Sequence, residues 1–161
     1  MKRVLLVCHA NTCRSVMAHV LLERLLAERG VDGRVAVSSA GVGLHARDGM
    51  IPSLDARLAL KEIGVFLDED AMASTALRHH PEVLAEADLV ITMTREQKSA
   101  LASVGEADGR PVFTLKELAG EDGDIGDPVG QGDEVYRACR DESARCLGLS
   151  LDRMLAALGA D

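Results

Sequence analysis

Apolar residues fall in short continuous runs that alternate along the chain with segments of helical spacing. Residues 2–7 (KRVLLV) end in an unbroken apolar run, which is typical of a strand buried on both faces of a parallel sheet. Residues 15–28 carry apolar side chains three and four positions apart, which predicts a helix that ends at Gly30. The chain therefore begins with a strand followed by a helix.

The same alternation continues to the end of the chain. Further strands are predicted at residues 34–38, 88–93 and 111–113. Helices are predicted at residues 53–63, 81–87, 95–104, 115–118 and 134–158, the last with a kink or cap near Gly148. Strands that alternate with helices form right-handed crossovers. The predicted fold class is therefore α/β: a three-layer sandwich with helices on both faces of a four-stranded parallel sheet of order 2-1-3-4.

Composition and charge narrow the classes of function. The chain has a formal net charge of -8 and shows no Lys/Arg cluster, so no nucleic-acid partner is expected. No apolar run is long enough for a signal peptide or a membrane span, which predicts a cytoplasmic protein with reduced cysteines and no membrane partner. The 161 residues suit one domain, predicted to span residues 1–161.

Neither the cysteines nor the histidines have the spacing of a metal site. Cys139 and Cys146 lie seven positions apart on one predicted helix, where packing suits them better than zinc ligation. Four of the histidines are predicted to lie on the surface or in loops and show no ligand pattern: His9, His45, His79 and His80. No metal and no other cofactor is therefore predicted.

A Cys-x5-Arg-Ser segment lies where the first strand passes into the first helix. Backbone N–H groups and the positive end of the helix dipole converge at such a junction, and a phosphoryl group fits there. Arg14 can bind two phosphoryl oxygens through its guanidinium, and a helix N-terminus favours the thiolate of Cys8 for in-line attack on phosphorus. A lone cysteine or arginine is usually structural, but this combination is uncommon by chance. The predicted phosphate-binding residues, which follow Cys8, are His9, Ala10, Asn11, Thr12, Cys13, Arg14 and Ser15.

The segment VLLVCHANTCRS resembles the phosphate loop of the low-molecular-weight protein phosphatase family, whose pattern is an apolar strand and then V-C-x-G-N-x-C-R-S. The segments SSAGV, ADLVITMT, FTLKEL and DIGDP follow in family order, so the resemblance spans nearly the whole chain. It implies an enzyme that hydrolyses phosphorylated side chains through a cysteinyl-phosphate intermediate. Cys8 would be the nucleophile, and Arg14 would bind the transition state. Asn11 would hold the loop shape, and Ser15 would activate the thiolate.

A proton donor is needed to expel a poor leaving group. Asp127 precedes Pro128 in a Gly-rich loop, residues 121–132, and resembles the mobile Asp-Pro acid of the family. Asp-Pro and Gly also form ordinary turns, and Asp122 and Asp124 are rival carboxylates in the same loop. The adjoining proline favours Asp127 as the acid.

Two positions depart from the family pattern. Ala10 stands where the family usually has Gly, and Val16 stands where it usually has Pro. Because Gly tolerates positive φ and close backbone approach better than Ala does, Ala10 predicts a strained loop or weakened phosphate binding. These departures leave open a catalytically silent oxyanion-binding or scaffold domain, which the retention of Cys8, Arg14 and Asp127 disfavours.

The substrate is predicted to be a phosphorylated protein or peptide, with inorganic phosphate as product and inhibitor. Tyrosine-directed members of the family carry an aromatic residue where this chain has Val129. The bacterial protein-arginine phosphatases, which this chain resembles, have Thr at the position of Thr12. Phosphoarginine is therefore favoured, with phosphotyrosine as the alternative. An arsenate reductase is less favoured, because no further cysteine lies between Cys13 and Cys139. Whether Cys8 and Cys13 form a reversible disulfide stays open.

Overall fold

The computed structural model describes residues 1–105 and 109–161. Its strands are Lys2–Cys8 (β1), Val35–Gly41 (β2), Leu89–Thr92 (β3) and Val112–Thr114 (β4). Its α-helices are Arg14–Arg29 (α1), Leu54–Lys61 (α2), Pro81–Ala85 (α3), Arg95–Ala100 (α4), Leu115–Leu118 (α5) and Asp133–Leu158 (α6). Short 3-10 turns lie at Leu77–His79 and Leu101–Ser103.

The four strands form one parallel sheet in the order β2-β1-β3-β4. In register, Cys8 of β1 lies opposite Gly41 of β2, and Val7 lies opposite Thr92 of β3. The strand that ends at Cys8 is thus in the interior of the sheet. Because ligands of open parallel sheets bind beyond the carboxyl ends of the strands, this register places Cys8 at the binding edge. The predicted fold class and strand order are confirmed.

Alternate residues of β1 pack into two different cores. Val4 and Leu6 are fully buried on the face that α1, α2 and α6 cover. Leu5 and Val7 are fully buried on the opposite face, against Leu77, Leu84 and Leu101. This burial on both faces is the reason that the strand is a continuous apolar run.

The last helix corrects one expectation. α6 is one helix from Asp133 to Leu158 with its C-cap at Gly159, whose φ of 64° is left-handed, so the cap expected near Gly148 is wrong, while the kink stays a prediction. A glycine inside a helix costs about 1 kcal/mol. The neighbouring Cys146 and Leu147 are fully buried in the core, and this packing holds the helix through Gly148. No helix among the described residues has an apolar stretch of the length that a bilayer crossing requires.

Candidate active site

The loop between β1 and α1 is clamped to the chain that follows β2. Val42 N–H donates to the carbonyl of Cys8 at 3.0 Å, and Gly43 N–H donates to the carbonyl of His9 at 2.9 Å. A Cβ on Gly41 would lie 2.8 Å from the carbonyl carbon of Ala10 and from the carbonyl oxygen of His9, closer than side chains pack. The glycine of the SSAGV segment therefore permits the end of β2 to lie directly against this loop, residues 8–15, which we call the phosphate loop.

The left-handed residue of the phosphate loop is Asn11, with a φ of 61°. Asparagine adopts this conformation more readily than most residues, because its short polar side chain can bond locally. Ala10 does not have a positive φ. Ala10 therefore does not strain the loop through a positive φ, while weakened phosphate binding stays a prediction.

A directed chain of hydrogen bonds ends at the sulfur of Cys8. Thr75 N–H donates to Asn11 Oδ1 at 2.9 Å, which fixes the orientation of the amide. Asn11 Nδ2 then donates to Ser15 Oγ at 2.8 Å, and Ser15 Oγ lies 3.0 Å from Cys8 Sγ. The serine oxygen accepts a hydrogen bond from Asn11, so its own O–H can donate to the sulfur when Cys8 is a thiolate, which only accepts.

The same sulfur receives a second donor. Asn11 main-chain N–H points to Cys8 Sγ at 3.3 Å. Cys13 is the N-cap residue of α1, and its side chain makes no hydrogen bond to the N–H groups of the first turn. Those N–H groups are therefore not taken by the Cys13 side chain and can bind an anion. Two donors and a helix N-terminus together stabilise negative charge on Cys8, which suits a thiolate nucleophile.

Arg14 connects the phosphate loop to the loop of residues 121–132, which we call the acid loop. Its side chain is buried, and Nη1 donates to the carbonyl of Ile125 at 2.9 Å. Nη2 lies 3.8 Å from Asp127 Oδ2. Ile125 is itself fully buried and donates its N–H to the carbonyl of Met93 at 2.9 Å, just beyond the end of β3. The acid loop is thus tied at this point to both the sheet and Arg14.

Asp127 is the carboxylate of the acid loop that reaches the nucleophile's cavity. Its Oδ1 accepts the N–H of Val129 at 3.1 Å, and its side chain stays about half exposed. Asp124 instead accepts the N–H of Arg95 at 2.9 Å, and Asp122 is exposed and lines no cavity beside Cys8. The geometry therefore favours Asp127 over both rival carboxylates.

Two adjoining cavities open at this edge of the sheet. The smaller, of about 40 Å³, is the phosphate cavity; its lining residues are Cys8, His9, Ala10, Thr12, Cys13, Arg14, Asp127 and Val129. The larger, of about 670 Å³, is the wide groove, walled by residues 42–45, Arg78, the start of α4 and the acid loop. His9, Arg14 and Asp127 line both. A further cavity of about 410 Å³ lies between α2 and α6 and contains none of the predicted site residues.

The structure brings the predicted site residues together in two layers. Cys8, Arg14 and Asp127 line the phosphate cavity, while Asn11 and Ser15 lie behind it and contact the sulfur. His9 is exposed at the rim, with its ring over Gly43. Sequence reasoning missed the structural roles of residues outside the loop. The SSAGV and DIGDP segments include Gly41 and Ile125 without showing their contacts, and no pattern signalled Thr75.

The other cysteines near the site hold their protons. Burial raises the pKa of the Cys13 thiol to about 12 and that of Cys139 to about 11. Cys139 lies 3.8 Å from the carbonyl of Gly126 and lines neither cavity, and Cys146 is fully buried. Within residues 1–105 and 109–161, no group of three or more His, Cys, Asp or Glu side chains is placed to hold a metal ion.

Comparisons with known proteins agree with this geometry. The chain is 42% identical over 141 residues to a protein-arginine-phosphatase of Geobacillus stearothermophilus, with 87% of each chain covered. It is 31% identical over 135 residues to the low molecular weight protein-tyrosine-phosphatase PtpB of Staphylococcus haemolyticus, covering 84% of this chain and 87% of that one. A solved structure of the YwlE arginine phosphatase, a mutant with a phosphorylated active site serine, is 33% identical with a TM-score of 0.81 over 96% of this chain and 95% of that chain.

The family match covers nearly every element described above. Residues 3–158 match the family described as low molecular weight phosphotyrosine protein phosphatase. That range begins inside β1 and ends with the last residue of α6. This chain therefore belongs to the low molecular weight phosphotyrosine protein phosphatase family.

Proposed function

We propose that this chain is a cysteine-dependent protein phosphatase that acts through a cysteinyl-phosphate intermediate and prefers phosphoarginine. Its similarity to protein-arginine-phosphatases and to a protein-tyrosine-phosphatase supports the enzyme class. The similar YwlE mutant with a phosphorylated active site serine supports a covalent route. Residues 1–161 would act as a single catalytic domain, and a cytoplasmic location stays a prediction.

In the first step, the Cys8 thiolate attacks phosphorus and the bond from phosphorus to the leaving group breaks. The hydrogen bonds from Asn11 and Ser15 hold the sulfur in place before attack. Arg14 and the main-chain N–H groups of the phosphate loop stabilise the charge on the phosphoryl oxygens. Asp127 gives its proton to the leaving nitrogen or oxygen, which departs as neutral or cationic product.

In the second step, water attacks the cysteinyl phosphate. Asp127, now a carboxylate, takes a proton from the water, and the sulfur–phosphorus bond breaks to release inorganic phosphate and the Cys8 thiolate. Ser15 again donates to the sulfur as it regains negative charge. Inorganic phosphate is then the product. It is also a competitive inhibitor, because it binds in the same cavity as the phosphoryl group of the substrate. The thiolate, Arg14 and Asp127 supply nucleophile, charge and proton for both steps.

The residues that line the phosphate cavity support the proposed preference for phosphoarginine. A phenol ring is held best by an aromatic wall, yet none of the three aromatic residues of this chain lines the phosphate cavity or the wide groove. The cavity that holds Cys8 is instead lined by Thr12 and Val129, together with Asp127. A narrow cavity lined by a hydroxyl and a carboxylate suits the guanidinium of phosphoarginine, because Asp127 can accept hydrogen bonds from its N–H groups.

The similarity to PtpB favours the phosphotyrosine alternative. An arsenate reductase is less supported, because such a reaction needs a thiol relay that reaches the nucleophile. Cys139 and Cys146 are buried on α6 and line neither cavity. A silent oxyanion-binding domain has lost its main support, since Ala10 does not have a positive φ.

The direct test compares kcat/KM on matched phosphoarginine and phosphotyrosine peptides for the wild type and for Thr12→Ile. The wild type should prefer phosphoarginine. Thr12→Ile adds an apolar wall where a ring can pack, and a pocket methylene shifts specificity by about 10- to 200-fold. We therefore expect a shift of that order towards phosphotyrosine. If the wild type prefers phosphotyrosine and Thr12→Ile changes nothing, the arginine preference fails while the phosphatase assignment stands.

A further inference from the structure

The wide groove is much larger than the phosphoryl group needs. Its volume of about 670 Å³ compares with about 40 Å³ for the phosphate cavity, and His9, Arg14 and Asp127 form the boundary that the two share. A substrate whose phosphoryl group lies over Cys8 therefore has the groove beside it. If the chain is a phosphatase of proteins, as proposed above, the groove receives residues that neighbour the phosphorylated one.

Arg78 is a fixed cation in the wall of this groove. Its Nε donates to the carbonyl of Val42 at 2.9 Å, and its Nη1 donates to Ser103 Oγ at 2.8 Å. Both acceptors are neutral. A guanidinium has five N–H donors in a rigid fork, so two bonds orient it and leave further donors for a ligand. Arg78 is also partly buried, which strengthens any hydrogen bond that it makes to an anion.

Within the described residues, Arg78 makes no ion pair with a carboxylate. In this acidic chain of net charge -8, Arg3, Arg29 and Arg145 each have a carboxylate partner, whereas Arg34, Arg47 and Arg153 share with Arg78 the lack of one among the described residues; of these four, Arg78 is the one that lines the wide groove. A partly buried charge without a counterion is costly unless water or a ligand compensates it. An anion from the substrate would supply that compensation.

The remaining charges of the groove favour the Arg78 side for such an anion. Asp124 is paired with Arg95, and Asp127 lies beside Arg14. Glu96 on α4 also lines the groove and would repel a carboxylate placed next to it. His45 lines the groove as well, and its ring adds a donor and no negative charge.

We propose that Arg78 is a specificity-determining residue that binds a carboxylate next to the phosphorylated residue of the substrate. The preferred substrates are then peptides with Asp or Glu beside the phosphorylated side chain. One hydrogen bond to a charged group is worth about 1.5–3 kcal/mol, which corresponds to roughly a tenfold or greater preference in kcat/KM. The preference should weaken as salt screens the pair.

The test uses phosphopeptides that differ only in the neighbouring residue, which is Asp, Asn or Lys, each made as a phosphoarginine and a phosphotyrosine series. The ratio of kcat/KM for Asp over Asn peptides is measured in whichever series is hydrolysed. We expect about tenfold for the wild type, a ratio near one for Arg78→Gln and an intermediate value for Arg78→Lys. Arg34→Gln removes the same charge from an exposed position just before β2, at the edge of the sheet opposite the site, and should keep the wild-type ratio.

The outcomes separate recognition from a structural role. If Arg78→Gln slows all peptides by the same factor, Arg78 only braces the loop after β2 and the inference is overturned. Equal wild-type rates on Asp and Asn peptides, or a preference for Lys peptides, also overturn it while the phosphatase assignment stands. If neither series nor an aryl phosphate is hydrolysed, the proposed function fails, and the inference fails with it.

Discussion

At the scale of single residues, the site depends on how Asn11 holds its neighbours. The Asn11 amide is oriented by Thr75 and donates a hydrogen bond to Ser15 Oγ, which leaves the serine hydroxyl free to donate to the Cys8 thiolate. The left-handed backbone of Asn11 also turns its N–H towards the same sulfur. Asn11 therefore supplies one hydrogen-bond donor to Cys8 directly, its main-chain N–H, and its side chain orients the second donor, the Ser15 hydroxyl.

The cysteines should differ in reactivity with thiol reagents at neutral pH. Burial raises the pKa of Cys13 to about 12 and that of Cys139 to about 11, so both stay protonated and unreactive until the pH approaches those values. Cys8 is also buried, but it lines the phosphate cavity and receives two hydrogen bonds that favour the thiolate. Iodoacetamide followed by peptide mass spectrometry should therefore label Cys8 first, and inorganic phosphate should slow that labelling.

The labelling prediction has one control and two outcomes that would contradict it. Urea-unfolded protein should label at all four cysteines, since burial no longer protects them. Labelling of Cys13 or Cys139 as fast as Cys8 in the folded protein at neutral pH would contradict the site described here. Labelling of Cys8 that phosphate does not slow would show that the anion binds elsewhere.

At the scale of elements, the end of β2 sets the position of the phosphate loop. Gly41→Ala would place a methyl group 2.8 Å from the backbone of His9 and Ala10, and backbone cannot move aside as a flexible side chain can. The loop must shift, and a displacement of about 1 Å at a catalytic group can cost about 100-fold in rate. We expect kcat/KM on an aryl phosphate to fall by about 10- to 100-fold.

The matched control is Gly33→Ala, because a Cβ at Gly33 meets nothing within 4 Å and its φ is not positive. That variant should keep wild-type activity. Thermal unfolding of both variants distinguishes a displaced loop from an unfolded protein. Full activity in Gly41→Ala would mean that the contact between β2 and the phosphate loop does not position Cys8.

A second prediction at this scale concerns the acid loop. Asp127→Asn keeps the shape of the side chain but removes the proton, so turnover of a phosphoarginine peptide should fall by about 100- to 10,000-fold. An activated aryl phosphate, whose leaving group needs little protonation, should lose less. Asp122→Asn is the control, since Asp122 is exposed and lines neither the phosphate cavity nor the wide groove. Equal losses on both substrates would remove Asp127 from the role of acid.

At the scale of the whole molecule, the sequence predicted the sheet order and the junction that holds Cys8. The apolar run of β1 and the helical spacing of α1 are local patterns, so both could be predicted without the structure. Family membership and the α/β fold are confirmed. The roles of Cys8, Arg14 and Asp127 stay predictions until variants are measured, although the structure places all three around one cavity.

Other features depend on contacts between residues far apart in the sequence, which local sequence patterns do not predict. Thr75 reaches Asn11 across 64 positions of sequence, and Ile125 reaches Arg14 across 111. Gly148 has a low helix propensity, but core packing around it overrides that preference. The wide groove is assembled from five separate segments, so neither its size nor the setting of Arg78 could be predicted.

The central claim is that phosphoryl transfer passes through Cys8. Turnover of a phosphopeptide is stopped by rapid quench, and the digested protein is analysed by mass spectrometry for a phosphoryl group. We expect the modification on the peptide that contains Cys8, in the wild type and in a Cys13→Ser control, and no turnover by Cys8→Ser. A phosphoryl group on another residue, or turnover by Cys8→Ser at the wild-type rate, would contradict the account.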